Sequence, residues 1–324
     1  MVSDIQFKSA FAKRIELFLA EKQALGFRYS YGYAIMSNFD RFCVKNFTCE
    51  FSLTQEVVMA WAKRRGDEQN QTMRTRHSFI REFGKYLISS GEDAYLLPVK
   101  IVGSGAKSIP YIFEEEEILE LWYELDRLRP RHNSPYRHIV LPIMFRVMYC
   151  CGLRPQEVRK LVAGDVDLDA GKIFIRESKE RKDRIVMMSD DVAHLCRTYD
   201  EKIRTLLPHR STFFPGGDGE MYHNGAFGST LIDLYHGTGL KWHGHRRPRN
   251  YDFRHTFATH RLYKWMREGK DLTALLPYLS EYMGHANLSS TYYYIHLVPG
   301  MFESMSGVDY SQFQDLLPEV EADE

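Results

Sequence analysis

The sequence lacks the marks of a membrane or secreted protein. Among its 324 residues, no apolar run approaches the roughly 20 residues that span a bilayer, and the first residues show no signal-peptide pattern. Its 5 cysteines are odd in number and do not have the spacing of metal ligands, which indicates reduced thiols. We therefore expect a cytoplasmic protein with no membrane partner.

The sequence also lacks a net charge, because 43 lysines and arginines balance 43 acidic residues. Overall electrostatics therefore does not indicate a nucleic-acid partner. The local distribution differs, since residues 241–270 contain 9 lysines and arginines and only 2 acids. Such a basic segment is compatible with phosphate binding, although a solvated charged helix has the same composition.

No cluster of carboxylates of the kind that holds two catalytic metal ions is visible, so we predict no metal and no other cofactor. Internal repeats and low-complexity tracts are absent as well. The chain is 44% hydrophobic and 27% charged, as ordinary globular proteins are, and it is long enough for two domains.

Residues 1–90 are predicted to form four helices, because apolar side chains recur there at helical spacing. Thr54 is placed to cap the third helix. The apolar positions are Phe11, Ile15, Phe18 and Leu19, then Tyr33, Met36, Phe39 and Phe42, then Val57, Val58 and Trp61, and finally Phe79, Phe83, Tyr86 and Leu87. Basic side chains of the last two helices suggest one face suited to DNA: Arg64, Arg65, Arg74, Arg76 and Arg81.

Residues 91–110 are predicted to be a linker, since prolines and a Gly-Ser-Gly sequence interrupt the helical pattern. A second domain is expected over residues 111–297, and the acids of Glu114–Glu117 suit the first turn of its first helix. Residues 298–324 form an acidic tail with scattered apolar positions. This tail could dock onto a neighbouring protomer, form an intramolecular helix or remain untethered.

Arg154 is predicted to lie at a junction between two helices. The apolar run Ile139–Cys151 ends at Gly152, a natural helix stop, and Pro155 suits the first position of the next helix. Amide groups at that helix start favour an anion. The alternative is that Arg154 only forms an ion pair with Glu157.

A β-hairpin is predicted next, with strands Lys172–Arg176 and Arg184–Met188 after a turn at Asp165–Gly171. Its polar tip, Ser178–Asp183, contains lysines. A lysine on such a tip can reach a neighbouring cleft and act as a general acid, although most loop lysines do not.

A further helix is predicted over Asp252–Lys264, with Tyr251, Arg254 and His255 on one face. The planar guanidinium of Arg254 is suited to bidentate phosphate contacts. Aromatic side chains in this helix are expected mainly to pack.

The last motif is a glycine-histidine corner followed by a run of tyrosines. Gly284 is predicted to end a helix, and His285 lies just beyond it. Ser289 or Ser290 is expected to cap a helix that carries Tyr292–Tyr294. Because these three tyrosines point to different faces of a helix, we expect at most one to reach a phosphate.

The order of these motifs resembles that of the tyrosine recombinases, the family of phage integrases and Xer-type resolvases. The motifs are Arg154, a hairpin lysine, Tyr251-x-x-Arg254, Gly284-His285 and a late tyrosine. The resemblance implies a mainly α fold with a small β-sheet, in which an α+β catalytic domain follows an N-terminal helical core-binding domain.

The family spacing of nine residues after the histidine implies Tyr294 as the nucleophile, which would form a 3′-phosphotyrosyl bond with DNA. By the same resemblance, Arg154, Arg254 and His285 would stabilise the phosphate. Lys179 would protonate the leaving 5′-oxygen, with Lys182 in reserve. DNA contacts are expected from Lys182 and from Arg246, Arg247 and Arg249.

The sequence departs from the family at Tyr251, where a histidine is usual. A phenol with a reference pKa of about 10 cannot act as an imidazolium near neutral pH. Tyr251 is retained as a site residue through its hydrogen-bonding hydroxyl. Either the change is tolerated, or His243 or His245 compensates for it.

The resemblance implies double-stranded DNA as substrate and a homotetramer on paired sites, with accessory proteins or partner recombinases as further candidate partners. Two alternatives are a type IB topoisomerase and a DNA-binding protein with a degenerate active site. The sequence does not distinguish integration and excision, transposition and dimer resolution, although the Tyr251 change favours a mobile-element enzyme. Without an extra domain before residue 5, we expect a simple DNA site without distal arms.

Overall fold

The structure, a computed structural model, describes residues 6–26, 29–102, 109–176, 183–243 and 246–297. The chain divides into two compact units, Met1–Lys107 and Ser108–Glu324, and this division falls within the stretch expected to be a linker. Within the described residues, no helix is both long enough and apolar enough to cross a membrane.

The first unit is helical, and helices α1 to α4 lie within residues 1–90, where four helices were predicted. Thr54 caps the third of them as predicted, since its Oγ1 accepts a hydrogen bond of 3.4 Å from the Val57 amide. Rings of Phe11, Phe18, Phe39 and Phe83 form the aromatic centre of its core. The helices are α1 (Ala12–Ala24), α2 (Ser30–Asn46), α3 (Gln55–Ala62), α4 (Asn70–Ser89) and the short α5 (Val99–Val102).

Part of the stretch expected to be a linker packs onto this core. Leu97 is fully buried among the side chains of the unit. The Tyr95 amide donates a 2.7 Å hydrogen bond to the carbonyl of Leu53, beside a β-bridge between Leu53 and Ala94. These residues therefore belong to the first unit, and α5 follows them.

The second unit combines helices with a three-stranded antiparallel sheet, which confirms the predicted fold class. Its helices are α6 (Glu115–Asp126), α7 (Arg137–Cys150), α8 (Pro155–Arg159), α9 (Asp190–Leu206), α10 (Asn224–Thr238), α11 (Asp252–Arg267), α12 (Leu272–Met283) and α13 (Ser289–Tyr292). Its strands are β1 (Val166–Asp167), β2 (Lys172–Ile175) and β3 (Arg184–Met187).

The predicted hairpin is confirmed as β2 and β3, in which Ile173 pairs with Val186. The prediction that Asp165–Gly171 is only a turn is wrong, because β1 lies inside this range. Val166 pairs with Ile173, so β1 adds an edge strand to the hairpin. Two residues are too few to show the alternation that identifies a strand in a sequence.

The acids at the start of α6 cap the helix, as predicted. The Glu117 carboxylate accepts a 2.8 Å hydrogen bond from the Glu114 amide. Glu117 is also buried and accepts hydrogen bonds from the hydroxyls of Tyr111 and Tyr235, which the sequence did not indicate.

Helix α11 lies between two apolar clusters. On one side Phe253 is fully buried, with its ring stacked on Phe113 at a centroid distance of 4.6 Å. On the other side Phe257 and Leu262 pack with α12 in a second cluster. Side chains on the remaining faces of α11, including Arg254, are therefore held by packing on both sides.

Two glycines end the helices that flank α11, and both were predicted as helix stops. Gly152 follows α7 with φ of 59°, and Gly284 follows α12 with φ of 64°. A Cβ added to Gly152 would lie 2.4 Å from the ring of Phe257. A side chain there would meet both a left-handed backbone and a packed aromatic ring.

We predict that Gly152→Ala lowers the free energy of unfolding by about 2–4 kcal/mol, from the left-handed backbone and the displaced ring together. Urea-induced unfolding measures this quantity. Gly164→Ala is the control, because an added Cβ there meets nothing within 4 Å and φ is not positive. Equal losses in the two variants would contradict the prediction.

Candidate active site

Arg254 joins two turns that are far apart in the sequence. Its guanidinium donates a 2.7 Å hydrogen bond to the carbonyl of Gly152 and another to the carbonyl of Met283. The side chain is 0% exposed, and its Nε has no hydrogen-bond partner among the described residues. Burial and the nearby Arg154 lower the pKa of Arg254 to about 10, so the group stays charged at neutral pH.

Arg154 lies at the start of α8, as predicted, and contacts the turn that follows α12. Its guanidinium donates to the Glu157 carboxylate at 2.7 Å and to the carbonyl of Gly284 at 2.8 Å. The ion pair considered from the sequence therefore exists, but Arg154 also contacts the corner that carries His285. Burial disfavours its charge, yet Glu157 and Tyr251 outweigh burial and raise the pKa of Arg154.

Glu157 is shared by two arginines. Arg184 is the first residue of β3, and its guanidinium donates to the two carboxylate oxygens of Glu157 at 2.9 and 2.8 Å. It also donates to the carbonyl of Tyr282 at 3.0 Å. Burial alone would raise the pKa of Glu157, but the hydrogen bonds and charge of Arg184, helped by Arg154, lower it to about 2. The carboxylate therefore fixes both arginines beside α12.

His285 lies just beyond Gly284, at the predicted place. Its Nδ1 is 2.7 Å from Oγ1 of Thr291, a residue that is fully buried. Burial, together with the charges of Arg254 and Arg154, lowers the pKa of His285 to about 3. The ring is therefore neutral at physiological pH.

Tyr294 is the buried member of the tyrosine run, at 3% exposure, whereas Tyr292 and Tyr293 are partly exposed. Its hydroxyl lies 3.1 Å from Nδ1 of His255. Its ring stacks on that of His285 at a centroid distance of 6.0 Å. Burial raises the pKa of Tyr294 to about 12, although Arg254 and Arg154 oppose this shift.

The prediction of one helix carrying Tyr292–Tyr294 is wrong. Helix α13 ends at Tyr292, and Tyr294 lies in a turn before the short 3-10 helix Ile295–Leu297. Capping by Ser289 or Ser290 is also wrong, because both hydroxyls donate to the Asn287 side chain at 2.8 and 3.0 Å. The N-cap position of α13 is Leu288, and no described side chain caps the helix.

Tyr251 is 38% exposed at the start of α11, and its hydroxyl is hydrogen bonded to the Arg154 side chain. His243, which was considered as a substitute for the family histidine, contacts other residues. The His243 imidazole lies 3.0 Å from the Tyr111 hydroxyl and 3.6 Å from Glu117, in the cluster at the start of α6. The imidazole that contacts both Tyr251 and Tyr294 is His255, whose ring centroid lies 5.0 Å from that of Tyr251.

Several predicted site residues lie outside the described residues: Lys179, Lys182, His245 and the tail 298–324. Their predicted roles stay predictions. The strands that flank the hairpin tip bring Arg184 to the site, as described above.

The predicted DNA-contacting arginines of the second unit differ in their surroundings. Arg246 is engaged in a bidentate contact with Asp252 at 2.9 and 2.8 Å. Arg249 is exposed and lies 3.6 Å from the same carboxylate. Arg247 is exposed.

In the first unit, the predicted DNA contact of Arg76 is wrong. Arg76 is 2% exposed, forms a 2.7 Å ion pair with Glu68 and donates to the carbonyls of Trp61 and Lys63. Arg81 is partly buried and donates to the Leu97 carbonyl, and Arg74 is partly buried. The exposed members of the set are Arg64 and Arg65.

Comparison with known proteins identifies the family. Residues 113–300 match the model of the phage integrase family, which is more than half of the chain. The chain belongs to the phage integrase family. It is therefore a tyrosine-type site-specific recombinase, and the resemblance seen in the sequence is confirmed.

Relatives of the recombinase support this assignment. It is 28% identical over 299 residues to the integrase/recombinase y4rB of Sinorhizobium fredii strain NGR234, covering 89% of this chain and 93% of that protein. It is 30% identical over 212 residues to the tyrosine recombinase XerD of Staphylococcus epidermidis, covering 64% of this chain and 63% of that protein.

The fold of the recombinase is similar to that of the Tn1549 transposon integrase solved in complex with circular intermediate DNA. The TM-score is 0.62 at 13% identity, with 87% of this chain and 94% of that chain covered. At this identity the likeness concerns the fold alone.

Three residues at the recombinase site were not among the predicted site residues: Glu157, Arg184 and His255. Glu157 and His255 had weak signals, because Glu157 follows Arg154 by three positions and His255 shares a helix face with Tyr251. Nothing in the sequence indicates that Arg184 meets Glu157 across 27 residues.

We predict that Glu157 makes the stability of the recombinase sensitive to acid. Its pKa is lowered from 4.5 to about 2 on folding. A lowered pKa stabilises the fold above pH 4.5, here by about 3 kcal/mol, and this contribution disappears as pH falls towards 2. Glu157→Gln should therefore be less stable than wild type at pH 7, and the difference should shrink below pH 4.5.

Urea-induced unfolding at a series of pH values measures this difference. Glu120→Gln is the matched control, since Glu120 is an exposed carboxylate on α6. A difference in the free energy of unfolding between wild type and Glu157→Gln that stays constant down to pH 3 would contradict the prediction.

Proposed function

We propose that this recombinase cleaves and rejoins double-stranded DNA through Tyr294, with a 3′-phosphotyrosyl intermediate. One observation carries the proposal: the buried Tyr294 hydroxyl contacts His255 and lies beside His285, on an active-site core tied together by Arg154 and Arg254. These residues come from three separate stretches of the chain.

Arg154 and Arg254 would stabilise the charge that develops on the phosphate. Attack by the phenol oxygen on phosphorus adds negative charge to the non-bridging oxygens, and preorganised cationic donors lower the energy of that state. Arg254 is suited to this role because its hydrogen bonds go to main-chain carbonyls and its Nε is unused among the described residues. No carboxylate directly bonded to Arg254 neutralises its charge there.

His285 would donate a hydrogen bond to the same phosphate. The Thr291 hydroxyl can donate to Nδ1 of His285, at 2.7 Å, which leaves the proton of the neutral ring on Nε2. Lys179 remains the proposed donor of a proton to the leaving 5′-oxygen, on the strength of the family resemblance.

The covalent intermediate would conserve the energy of the broken phosphodiester bond, so that rejoining needs no ATP. We propose that no metal takes part, because the arginines supply the positive charge that a metal would otherwise supply. The acid and base would be protein side chains.

The DNA partner is proposed from the family and from relatives. The Tn1549 transposon integrase was solved with circular intermediate DNA, and its fold is similar to that of this chain. Strand exchange between two duplexes requires four cleavages, so a homotetramer on paired sites is the proposed assembly. Integration, excision or transposition of a mobile element is the proposed role, and the tail 298–324 is a candidate for docking between protomers.

We predict that Tyr294→Phe abolishes the covalent protein–DNA adduct, with a loss of about 10⁴-fold or more because the attacking oxygen is gone. The substrate is DNA from the ends of the locus that encodes the chain, nicked so that cleavage cannot reverse. Adducts are measured on denaturing gels with a chelator present throughout.

Tyr292→Phe and Tyr293→Phe are the controls and should retain the adduct. An adduct that persists in Tyr294→Phe would overturn the proposed nucleophile, and one that requires added metal ions would overturn the metal-free mechanism. DNA binding without any adduct in wild type would favour a binding protein with a degenerate site. Relaxation of supercoiled plasmid that lacks recombination sites would favour a topoisomerase.

We predict that exposed and buried arginines have different effects on DNA binding. Arg247→Ala should lower the slope of log Kd against log salt by about 1, as the loss of one phosphate contact does. Arg76→Ala should leave this slope unchanged and lower the thermal midpoint instead, because it leaves Glu68 buried without its partner. Fluorescence anisotropy from 50 to about 200 mM salt measures the slope.

A further inference from the structure

We propose that His255 is the general base of this active site, whose Nδ1 takes the phenolic proton of Tyr294 as the phenol oxygen attacks phosphorus. This inference rests on the proposed function of Tyr294. It assigns to His255, on α11, a role beyond that of the arginines and His285.

Geometry singles out His255 among the groups around the phenol. Its Nδ1 lies 3.1 Å from the Tyr294 hydroxyl, and among the described side chains no other is hydrogen bonded to that hydroxyl. The distance lies within the range required of a general base. His255 is largely buried between Tyr251 and Tyr294, with ring centroids 5.0 and 5.5 Å away.

The other candidates are directed elsewhere. His285 uses its Nδ1 for Thr291, and its ring is nearly parallel to that of Tyr294, at 18°, so that it stacks on the phenol rather than pointing a nitrogen at the hydroxyl. The Tyr251 hydroxyl is bonded to Arg154. Glu157 is occupied by Arg154 and Arg184.

The surroundings of His255 keep its imidazole neutral, so that one ring nitrogen carries no proton and can accept one. Burial lowers its pKa to about 4, with Asp252 opposing and the nearby arginines adding to the shift. The ring is thus neutral at physiological pH, while Tyr294 is protonated. Because the histidine is a weak base, we expect the proton to move together with formation of the bond to phosphorus rather than before it.

The cleavage step couples two proton transfers to the exchange of one bond at phosphorus. The O–H bond of Tyr294 breaks and its proton goes to Nδ1 of His255. The phenol oxygen forms a bond to phosphorus, the bond from phosphorus to the 5′-oxygen breaks, and that oxygen takes a proton from the general acid. In rejoining, the 5′-hydroxyl returns its proton to the general acid and its oxygen forms a bond to phosphorus, while the bond from phosphorus to the phenol oxygen breaks and His255 returns the proton to that oxygen.

The test compares single-turnover cleavage of saturating nicked DNA by wild type, His255→Asn and His255→Ala. An asparagine side chain can hydrogen bond near the position of Nδ1 but is not a base. His260→Asn is the matched control, because His260 is also on α11 and its Nδ1 also bonds a tyrosine hydroxyl, that of Tyr149 at 2.9 Å.

At pH 7, we expect His255→Asn and His255→Ala to cleave about 10²-fold or more slowly than wild type, and His260→Asn at near the wild-type rate. The defect should shrink roughly tenfold per pH unit as pH rises, because solvent then supplies the phenolate. The ratio of rates isolates His255 from the charged and titratable groups around it, which are Asp252, Arg246, Arg249, Arg254, Tyr251, His285 and Tyr294.

Replacing Tyr294 with a fluorinated tyrosine in His255→Ala provides a second readout, since a more acidic phenol depends less on a base and should restore part of the rate. Retention of the wild-type rate in His255→Asn would overturn the proposal in favour of positioning by a hydrogen bond. A defect that is independent of pH and of phenol acidity would overturn it as well. Failure of the proposed function is distinct, since Tyr294→Phe would then still form the adduct.

Discussion

The site depends on the buried guanidinium of Arg254 and on the two carbonyls that it bonds. Gly152 follows α7 and Met283 ends α12, so these carbonyls belong to helix ends, where the last C=O groups lack partners within the helix. Helix C-termini also carry partial negative charge, which offsets part of the cost of burying a cation. Arg254 therefore holds the two helix ends together and remains charged.

This charge adds to the effect of burial on the protonation of the histidines around it. His255 and His285 are neutral, mainly because they are buried and partly because the arginines repel a further proton. Glu157 is the carboxylate that stays ionised, and it is committed to Arg154 and Arg184. The net charge of Arg154, Arg184, Arg254 and Glu157 together is positive, which suits a site proposed to bind a phosphate.

Local sequence patterns made part of the fold and of the site predictable. The helix stops at Gly152 and Gly284 and the cap at Thr54 depend on neighbouring residues, and the sequence predicted each correctly. The pairings that complete the site are long-range: Arg184 reaches Glu157, and His255 reaches Tyr294 across 39 residues. Charge alone also could not separate an exposed arginine from a buried one, which is why Arg76 was placed on the DNA-binding face.

The proposed nucleophile is buried before DNA is present, and the chain around it is short. Tyr294 is 3% exposed, between a helix of 4 residues and a 3-10 helix of 3 residues. Segments of this length are not stable as isolated helices, so their position depends on side-chain contacts such as those of Thr291 with His285 and of Tyr294 with His255. A phosphate that bonds His285 and Arg254 would enter this same network. Until then the phenol stays protonated at neutral pH, since its ordinary pKa is about 10 and burial raises it further.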